Sequence, residues 1–318
     1  MFTLTCQRPR PTWTGAQPTR QTGDTLLWKE AMARTNPTLR QRRLGAELRR
    51  MREQAGFGGS ELGRAVGMNP AQVTQMESGK IGISVERLRT IAATCMCVNE
   101  ALIEALAEII TERGKSGWWE EYRDVLATDF LEVAELESSA RTLTGYTTSF
   151  IPGLLQTGAY SSALFAQTYP PLPHHEIDLR TAFRMQRQRV VRSGAMPYTV
   201  FVHEAALHMQ FGGPKVLTEQ LAALVIDSEL PNVSLRVVPF SAGVVPSPSE
   251  NFTFAAGPIP ELDTAQMDTG HGNQYFDAPA HLARFRALIS QMDATALSEE
   301  DARELIWSVK EEMEHKNG

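Results

Sequence analysis

The stretch Gly59–Gly79, with the sequence GSELGRAVGMNPAQVTQMESG, constrains the fold of this chain more than any other. Its apolar residues recur at spacings that place them on the facing sides of two crossed helices, namely Leu62, Val66, Met68, Val73 and Met76. Gly67 stands where a left-handed residue ends the first helix. Asn69 and Pro70 then provide an N-cap and a first helical residue for the second helix. The pattern predicts a helix-turn-helix whose second helix lies in a DNA groove.

Three further helices are predicted around this stretch. The first begins at Thr38, carries an apolar stripe and several arginines off it, and ends at Gly56. Ser84 caps the helix VERLRTIAATC, and Asn99 caps EALIEALAEIITER. Five short helices over residues 37–113 predict a compact all-α domain. Residues 1–36 are polar and aperiodic and are interpreted as a flexible arm, and residues 114–117 (GKSG) as a hinge.

The charge of the chain is distributed unevenly. The net charge is −6, but residues 1–90 carry a balance of +8 and the remaining 228 residues a balance of −14. A basic first third on an acidic body is typical of a DNA-contacting end carried by a domain with another task. The alternative is a basic helix that is merely solvated, and the helix-turn-helix pattern makes that alternative the weaker one.

Residues 118–318 predict an α+β domain with a small antiparallel sheet, in a chain that is mostly α overall. The segment YTVFVHE alternates and is rich in β-branched and aromatic residues, which indicates a strand. Further strands are expected at VSLRVVPF, NFTFAAG, TAQMDTG and NQYF. Helices are expected at the acidic residues 120–137, the basic residues 180–191, near 214–228, and in two final segments, PAHLARFRALISQM and SEEDARELIWSVKEEM.

Residues 38–110 resemble the XRE/Cro/phage-repressor type of helix-turn-helix domain. The resemblance rests on the arginine-rich first helix and on the segments SELGRAVGM, PAQVTQMESGK and LRTIAATC. In that family an arginine late in the first helix pairs with the glutamate that closes the recognition helix. The matching positions are Arg52 and Glu77, so the resemblance implies a structural ion pair between them. Loss of either partner would be costly.

A second resemblance covers residues 38–314. The segments WWEEYRDVL, IPGLLQTGAY, VHEAALH, ELPNVSLRVVPFSAG and SEEDARELI are similar to those of actinobacterial WhiJ-like regulators. These proteins join an XRE-type DNA-binding domain to a C-terminal domain of poorly understood role. The resemblance implies action with a small partner protein encoded nearby, an arrangement likened to toxin–antitoxin pairs.

Base reading in the major groove is done by the exposed N-terminal part of the inserted helix. The candidates here are Asn69, Ala71, Gln72, Thr74 and Gln75. Gln side chains can hydrogen-bond adenine, and the methyl groups of Ala71 and Thr74 can meet a thymine methyl. The alternative is that Gln72 and Gln75 are only solvated polar positions.

Phosphate contacts are expected from basic and hydroxyl side chains outside the reading face. The candidates are Arg40, Arg43, Ser60 and Lys80, together with free N–H groups at helix starts. Because one recognition helix reads only a few base pairs, a homodimer on an inverted-repeat operator in double-stranded DNA is expected.

Four other patterns suggest sites less strongly. HEAALH (203–208) places its histidines at i and i+5, whereas a helical zinc site needs i and i+4. Cys95 and Cys97 lack the spacing of a zinc knuckle. A set of aromatic residues is interpreted as part of an apolar core, with a ligand pocket as the less favoured alternative. These residues are Trp118, Trp119, Tyr146, Phe150, Tyr160 and Phe165. The arginines at 180, 184 and 187 share a helix face and are expected to pair with the acidic helix in preference to nucleic acid.

Composition limits the remaining classes. Three cysteines are too few and badly placed for a disulfide framework, no apolar run approaches the about 18 residues of a membrane span, and the start lacks a secretion signal. A cytoplasmic, nucleoid-associated transcriptional regulator is therefore predicted, with no membrane association, cofactor, metal or catalytic site. Two alternatives remain for the C-terminal domain: a small-molecule sensor, or the body of an antitoxin-like protein that holds a small partner.

Overall fold

The computed structural model describes residues 37–112, 117–243, 251–270 and 272–317. The predicted arm (1–36) and residues 114–116 of the predicted hinge lie outside the described residues. The first five helices are α1 (Leu39–Gln54), α2 (Gly59–Val66), α3 (Pro70–Glu77), α4 (Val85–Thr94) and α5 (Glu100–Thr111).

Local sequence explains where these helices begin and end. Thr38, Asn69, Ser84 and Asn99 each accept a hydrogen bond from a backbone N–H in the first turn of the helix that follows. Gly67 ends α2 in the left-handed conformation, with φ at 68°. The side chains of Leu48, Leu62 and Leu88, among others, close a core from which water is excluded. These five helices carry the helix-turn-helix.

The described residues from Gly117 onward fold around a sheet covered by helices on both faces. A 3-10 turn at Trp118–Tyr122 leads to α6 (Thr128–Ser139). The other helices are α7 (Gly158–Ala166), α8 (His174–Arg187), α9 (Arg189–Arg192), α10 (Glu204–His208), α11 (Pro214–Asp227), α12 (Pro279–Thr295) and α13 (Glu299–Asn317). The strands are β1 (Thr142–Thr147), β2 (Tyr198–His203), β3 (Val233–Val238), β4 (Phe252–Ala256), β5 (Thr264–Thr269) and β6 (Gly272–Phe276).

The sheet has six strands in the order β3-β2-β1-β4-β5-β6 and is mixed. β1 pairs with β2 in parallel and β2 with β3 in parallel, whereas β1–β4, β4–β5 and β5–β6 are antiparallel. The expectation of a small antiparallel sheet was therefore wrong. The error arose because the sequence pattern did not reveal β1. This strand joins the parallel half of the sheet to the antiparallel half.

Two apolar cores lie on the two faces of this sheet, because successive strand residues point in opposite directions. Val200 and Val202 of β2 pack with α11 and α13, while Phe201 between them faces α12. Both faces are thus covered by helices, which explains why the strands read as apolar runs.

Two helix predictions also need correction. The acidic segment 120–137 is not one helix, because the 3-10 turn ends at Tyr122 and α6 starts only at Thr128. The basic helix begins earlier than expected, at His174, and breaks at Gln188 before the short α9. None of the helices in the described ranges is both long and apolar enough to cross a membrane.

Candidate nucleic-acid interface

The outward face of α3 is uncovered. The five predicted base-reading side chains are all exposed, namely Asn69, Ala71, Gln72, Thr74 and Gln75. Val73 and Met76, on the other side of the helix, are 1% and 2% exposed and pack into the helical core. The helical period thus separates a polar outer face from an apolar inner one.

Internal hydrogen bonds constrain some of these polar groups. Asn69 Oδ1 accepts from the backbone N of Gln72 at 2.8 Å, and Gln72 Oε1 accepts from the backbone N of Asn69 at 2.9 Å. This capping box fixes the first turn of α3 but occupies both side-chain oxygens. Thr74 Oγ1 donates to the carbonyl oxygen of Pro70 at 3.1 Å. Within the described residues the side chain of Gln75 has no hydrogen-bond partner, so both ends of its amide are free to meet a base.

α3 is held against α1 by close backbone packing and by one ion pair. A Cβ atom on Gly45 would lie 2.4 Å from the carbonyl oxygen of Glu77, so only glycine permits this approach. Arg52 Nε lies 2.6 Å from Glu77 Oε1, and its Nη2 donates to Glu77 Oε2 at 2.9 Å. The hydrogen bonds that Arg52 donates to Glu77 raise the pKa of Arg52. Arg52 and Glu77 therefore belong to the scaffold that positions the outward face of α3.

The four predicted phosphate contacts separate into two pairs. Ser60, in the first turn of α2, and Lys80, just after α3, are exposed. Arg40 instead donates from Nη2 to Glu112 Oε2 at 2.9 Å. Arg43 is only 6% exposed, pairs with Glu47, and donates to the backbone oxygen of Glu261. The phosphate contact predicted for Arg43 does not fit this structure, because a loop of the C-terminal domain covers its guanidinium.

The other arginines on this side of α1 also face the C-terminal domain. Arg42 Nη1 lies 2.7 Å from Glu132 Oε1 on α6. Arg50 Nη2 lies 2.7 Å from Asp277 Oδ1, and its Nη1 contacts Glu47. The basic face of α1 is thus a contact between the two domains and not a DNA surface in this arrangement.

The structure reveals two cations that the sequence reasoning did not select. Arg64 on α2 is exposed, and Arg87 on α4 donates to the backbone oxygen of Val66 at the turn before α3. Among residues 37–112, Arg64, Lys80 and Arg87 are the Lys and Arg side chains with no carboxylate within ion-pair distance. Arg64 could have been selected from the sequence, because it lies off the apolar stripe formed by Leu62 and Val66 and is therefore expected to be exposed.

The weaker site candidates lie apart from this surface. His203 ends β2 and accepts from the backbone N of Ala205 at 3.2 Å, while His208 lies at the end of α10. Burial lowers the pKa of His203. Cys95 is buried in the helical core. In the described ranges no three His, Cys, Asp or Glu side chains are grouped as metal ligands.

Comparison with protein families adds to this geometry. A family model described as a domain of unknown function (DUF5753) matches residues 130–308, more than half of the chain. The chain belongs to the DUF5753 family. A second family model, described as a helix-turn-helix domain, matches residues 43–106, from within α1 to within α5, and so includes the whole of α2, α3 and α4. No curated protein and no solved structure matches the chain.

The helix-turn-helix match supports a protein of the transcription-regulator type and indicates DNA binding. It covers the exposed outward face of α3 and most of the helices that pack around it. The DUF5753 match begins at Phe130 in α6, so this member of the family combines a DNA-binding type of domain with a C-terminal domain whose family model carries no functional description.

Proposed function

We propose that this protein is a cytoplasmic, sequence-specific transcriptional regulator of the XRE type that reads the major groove of double-stranded DNA with α3. The observation that carries the proposal is the exposure of all five outward side chains of α3 while the C-terminal domain docks on α1. Recognition helices of this kind read bases with their N-terminal residues. Gln75, whose amide has no partner in the described part of the chain, is proposed as the main base reader.

Ser60 and Lys80 are proposed as phosphate contacts, with Arg64 and Arg87 as additional cations. Lys and Arg supply the sequence-independent part of DNA affinity, which weakens as salt rises. Arg43 has no part in the proposal. The structure favours few phosphate contacts per protomer, since most of the arginines on α1 have carboxylate partners.

The test starts with DNA selected from a random library by the purified protein. We expect Gln75→Ala to reduce discrimination against a changed base by about 5- to 150-fold, the equivalent of one good bidentate contact. Lys80→Ala should weaken binding to selected and random DNA alike and reduce the salt slope by about 1 per protomer.

Gln54→Ala is the matched control, because Gln54 is exposed on α1, away from the reading face. Equal effects of Gln75→Ala on selected and random DNA would mean that another face enters the groove. Failure of the wild-type protein to enrich any sequence would remove the proposal altogether.

A homodimer on an inverted repeat completes this proposal, because one recognition helix reads too few base pairs to specify an operator. The measurement is the mass of the complex with selected DNA. Two protomers on a repeat with half-sites about 34–36 Å apart, or a multiple of that spacing, support it. One protomer on an asymmetric site would contradict it.

For the C-terminal domain we propose a partner-binding role of the WhiJ-like, antitoxin-like kind, directed at a small protein encoded nearby and without catalysis. This part rests on the sequence resemblance. Co-expression with the product of a neighbouring small gene should yield a complex that survives size-exclusion chromatography. Elution of the two proteins apart at micromolar concentration would count against it.

A further inference from the structure

A cavity of about 290 Å³ lies in the C-terminal domain, where α6 and α8 cover the end of β1. This volume is just below the range for small-molecule sites, which is about 300–1,000 Å³, so only a small ligand fits. Its wall includes Gly145 and Thr147 of β1 together with Asn251 and Thr253 at the start of β4. The cavity is therefore built around the central strand of the sheet.

Two arginines from α8 line the cavity, and only one of them is neutralised. Arg187 donates from Nε to Glu137 Oε2 at 2.9 Å and also contacts Oε1 of the same carboxylate. Arg184 donates from Nη1 to the amide oxygen of Gln156 at 2.7 Å, and its guanidinium lies 4.2 Å from the centre of the Phe165 ring. Among the described residues Arg184 has no carboxylate within ion-pair distance.

Arg184 is a cation with hydrogen-bond donors that no described residue uses. Its Nε is buried without a hydrogen-bond partner, and no described residue accepts from its Nη2. Burial, with a smaller contribution from Arg187, lowers the pKa of Arg184 to about 9, which leaves it a cation at neutral pH. Arg184 is partly buried, and its buried, unused Nε donor is costly unless water or an anion approaches it.

Two carboxylates also line the cavity without a cationic partner in the described part of the chain. Asp129 Oδ2 accepts from the backbone N of Asn273 at 3.1 Å, and Asp268 Oδ1 accepts from Gln266 Nε2 at 2.7 Å. Asp268 is close enough to Arg184 to act on its pKa, yet the two form no ion pair. The wall thus carries separated positive and negative groups.

The remaining wall is largely apolar and aromatic. Phe130, Phe150, Leu164 and Phe165 line it. Of the other aromatic residues considered from the sequence, Tyr146 also lines the cavity, Tyr160 belongs to the main core, and Trp118 and Trp119 pack with Phe183 in a separate cluster. An apolar wall with a few placed polar groups is the usual composition of a small-molecule site.

We propose that this cavity binds a small zwitterion of the free amino acid class, with an apolar or aromatic side chain. The carboxylate of the ligand pairs with Arg184, its ammonium group with Asp268 and Asp129, and its side chain packs against Phe130 and Phe150. The planar guanidinium suits a carboxylate because it can donate two parallel hydrogen bonds. Ligand binding in this cavity is a separate function from DNA binding by α3 and does not depend on it.

The alternative is that water fills the cavity and no ligand enters. Solvation of the two carboxylates would then explain why Asp129 and Asp268 have no cationic partner among the described residues. A cavity that only holds water, however, would not bind a zwitterion more tightly than a molecule that carries one of the two charges. That difference is measurable.

The experiment uses the full-length protein and the twenty standard amino acids at millimolar concentration, with thermal unfolding as the readout. We expect at least one apolar or aromatic amino acid to raise Tm by about 5 °C at about 100 times its Kd. For L-phenylalanine the matched probes are 3-phenylpropanoate, which lacks the amine, and 2-phenylethylamine, which lacks the carboxylate. Each should bind at least about tenfold more weakly than the amino acid, because each loses one charge-assisted contact.

Two variants assign the contacts. Arg184→Gln should remove the response to the amino acid and to 3-phenylpropanoate, and Asp268→Asn should weaken binding of the amino acid but not that of 3-phenylpropanoate. Arg189→Gln is the control, because Arg189 is exposed on α9 and does not line the cavity. Asp268 is itself exposed, so its variant tests the proposal even if Arg184→Gln unfolds the domain.

Three results would overturn the proposal. The first is a panel in which no amino acid shifts Tm. The second is equal binding by an amino acid and its analogue without the amine, which would make the ligand a simple acid. The third is a response that persists unchanged in both Arg184→Gln and Asp268→Asn.

Discussion

The helix-turn-helix domain has two faces that differ in what surrounds them. The α3 face is exposed and carries neutral amide, hydroxyl and methyl groups. The α1 face carries Arg42, Arg43 and Arg50, and the acidic C-terminal domain covers it. Both faces are polar, yet only the first is open to another molecule in this arrangement.

This difference changes the meaning of the charge asymmetry. Residues 37–112 contain ten Lys and Arg and nine Asp and Glu, so the folded helix-turn-helix domain is close to neutral. Most of its arginines have carboxylate partners, either within the domain or across the contact with α6 and Asp277. A basic stretch of sequence is therefore weak evidence for a DNA surface until its internal partners are known. The same applies to the arginines of α8 and α9, where Arg187 pairs with Glu137 and Arg192 with Asp227.

The largest effect is expected when the α1 face loses its buried anion. Glu47 is 4% exposed and contacts both Arg43 and Arg50. Glu47→Gln removes the more buried of the two carboxylates that these arginines share, the other being Asp277. We expect a loss of about 3 kcal/mol, the lower end of the range for removing one partner of a buried pair, because Asp277 still compensates part of the charge. Urea unfolding of the full-length protein should show this loss as a lower midpoint.

Glu53→Gln is the matched control on the same helix. Glu53 pairs with Arg49 at 2.8 Å, but both side chains are about half exposed, at 49% and 62%, so little change in the midpoint is expected. Equal losses for the two variants would show that the α1 face is solvated in solution, and the contrast between the two faces would disappear.

The next largest effect is expected from a variant that changes the distance between α1 and α3. Gly45→Ala places a Cβ atom 2.4 Å from the carbonyl oxygen of Glu77, so α1 and α3 must move apart. We expect a loss of about 2–3 kcal/mol in unfolding free energy, typical of overpacking, and weaker binding to selected DNA because α3 tilts. Both unfolding and DNA titration are measured.

Gly56→Ala separates close packing from backbone strain. Gly56 has φ at 76°, and no atom of the described residues lies within 4 Å of the added Cβ, so only the left-handed conformation is strained. A loss of about 1 kcal/mol without any change in DNA affinity is expected. If the two glycine variants affect DNA binding alike, the contact of Gly45 does not position α3.

The exposed face was predictable from the sequence because its signals are local. Asn69 and Pro70 begin α3, Gly67 ends α2, and the helical period assigns Val73 inward and Gln75 outward. The DNA-facing candidates on α3 needed no knowledge of distant segments. The capping role of Gln72 was not recognised, although Gln three residues after an N-cap is its signature.

The covered face and the cavity were not predictable, because their partners are distant in sequence. Arg43 donates to the backbone oxygen of Glu261, which lies 218 residues away. The periodicity of α1 does not indicate that the loop containing Glu261 covers it. β1 escaped prediction because TLTGYT has a glycine in its middle and little aliphatic content. That glycine leaves room for Tyr198, since a Cβ at position 145 would lie 3.0 Å from its hydroxyl. The central strand therefore depends on pairing with neighbours more than 50 residues away.

The smallest effect is expected at Glu135, a carboxylate on α6 that contacts the N-terminal end of α1. Glu135 on α6 accepts from the backbone N of Arg40 at 3.4 Å and interacts with the side chain of Thr38. Burial raises the pKa of Glu135 above its ordinary value of 4.5, although these hydrogen bonds oppose the shift. The folded state thus binds this proton more tightly than the unfolded chain, so stability falls as pH rises from about 4.5 through the raised pKa.

Glu135→Gln keeps an acceptor but cannot ionise, so its Tm relative to the wild type should rise between pH 4 and pH 8. Each unit by which the folded pKa exceeds 4.5 contributes about 1.4 kcal/mol to this difference. Glu121→Gln, at an exposed position in the preceding 3-10 turn, should show no such trend. A difference that falls with pH would mean that the hydrogen bonds at the start of α1 stabilise the carboxylate more than burial penalises it. In that case the charge of Glu135 would hold the two domains together, as the carboxylates of Glu132 and Asp277 do elsewhere on the α1 face.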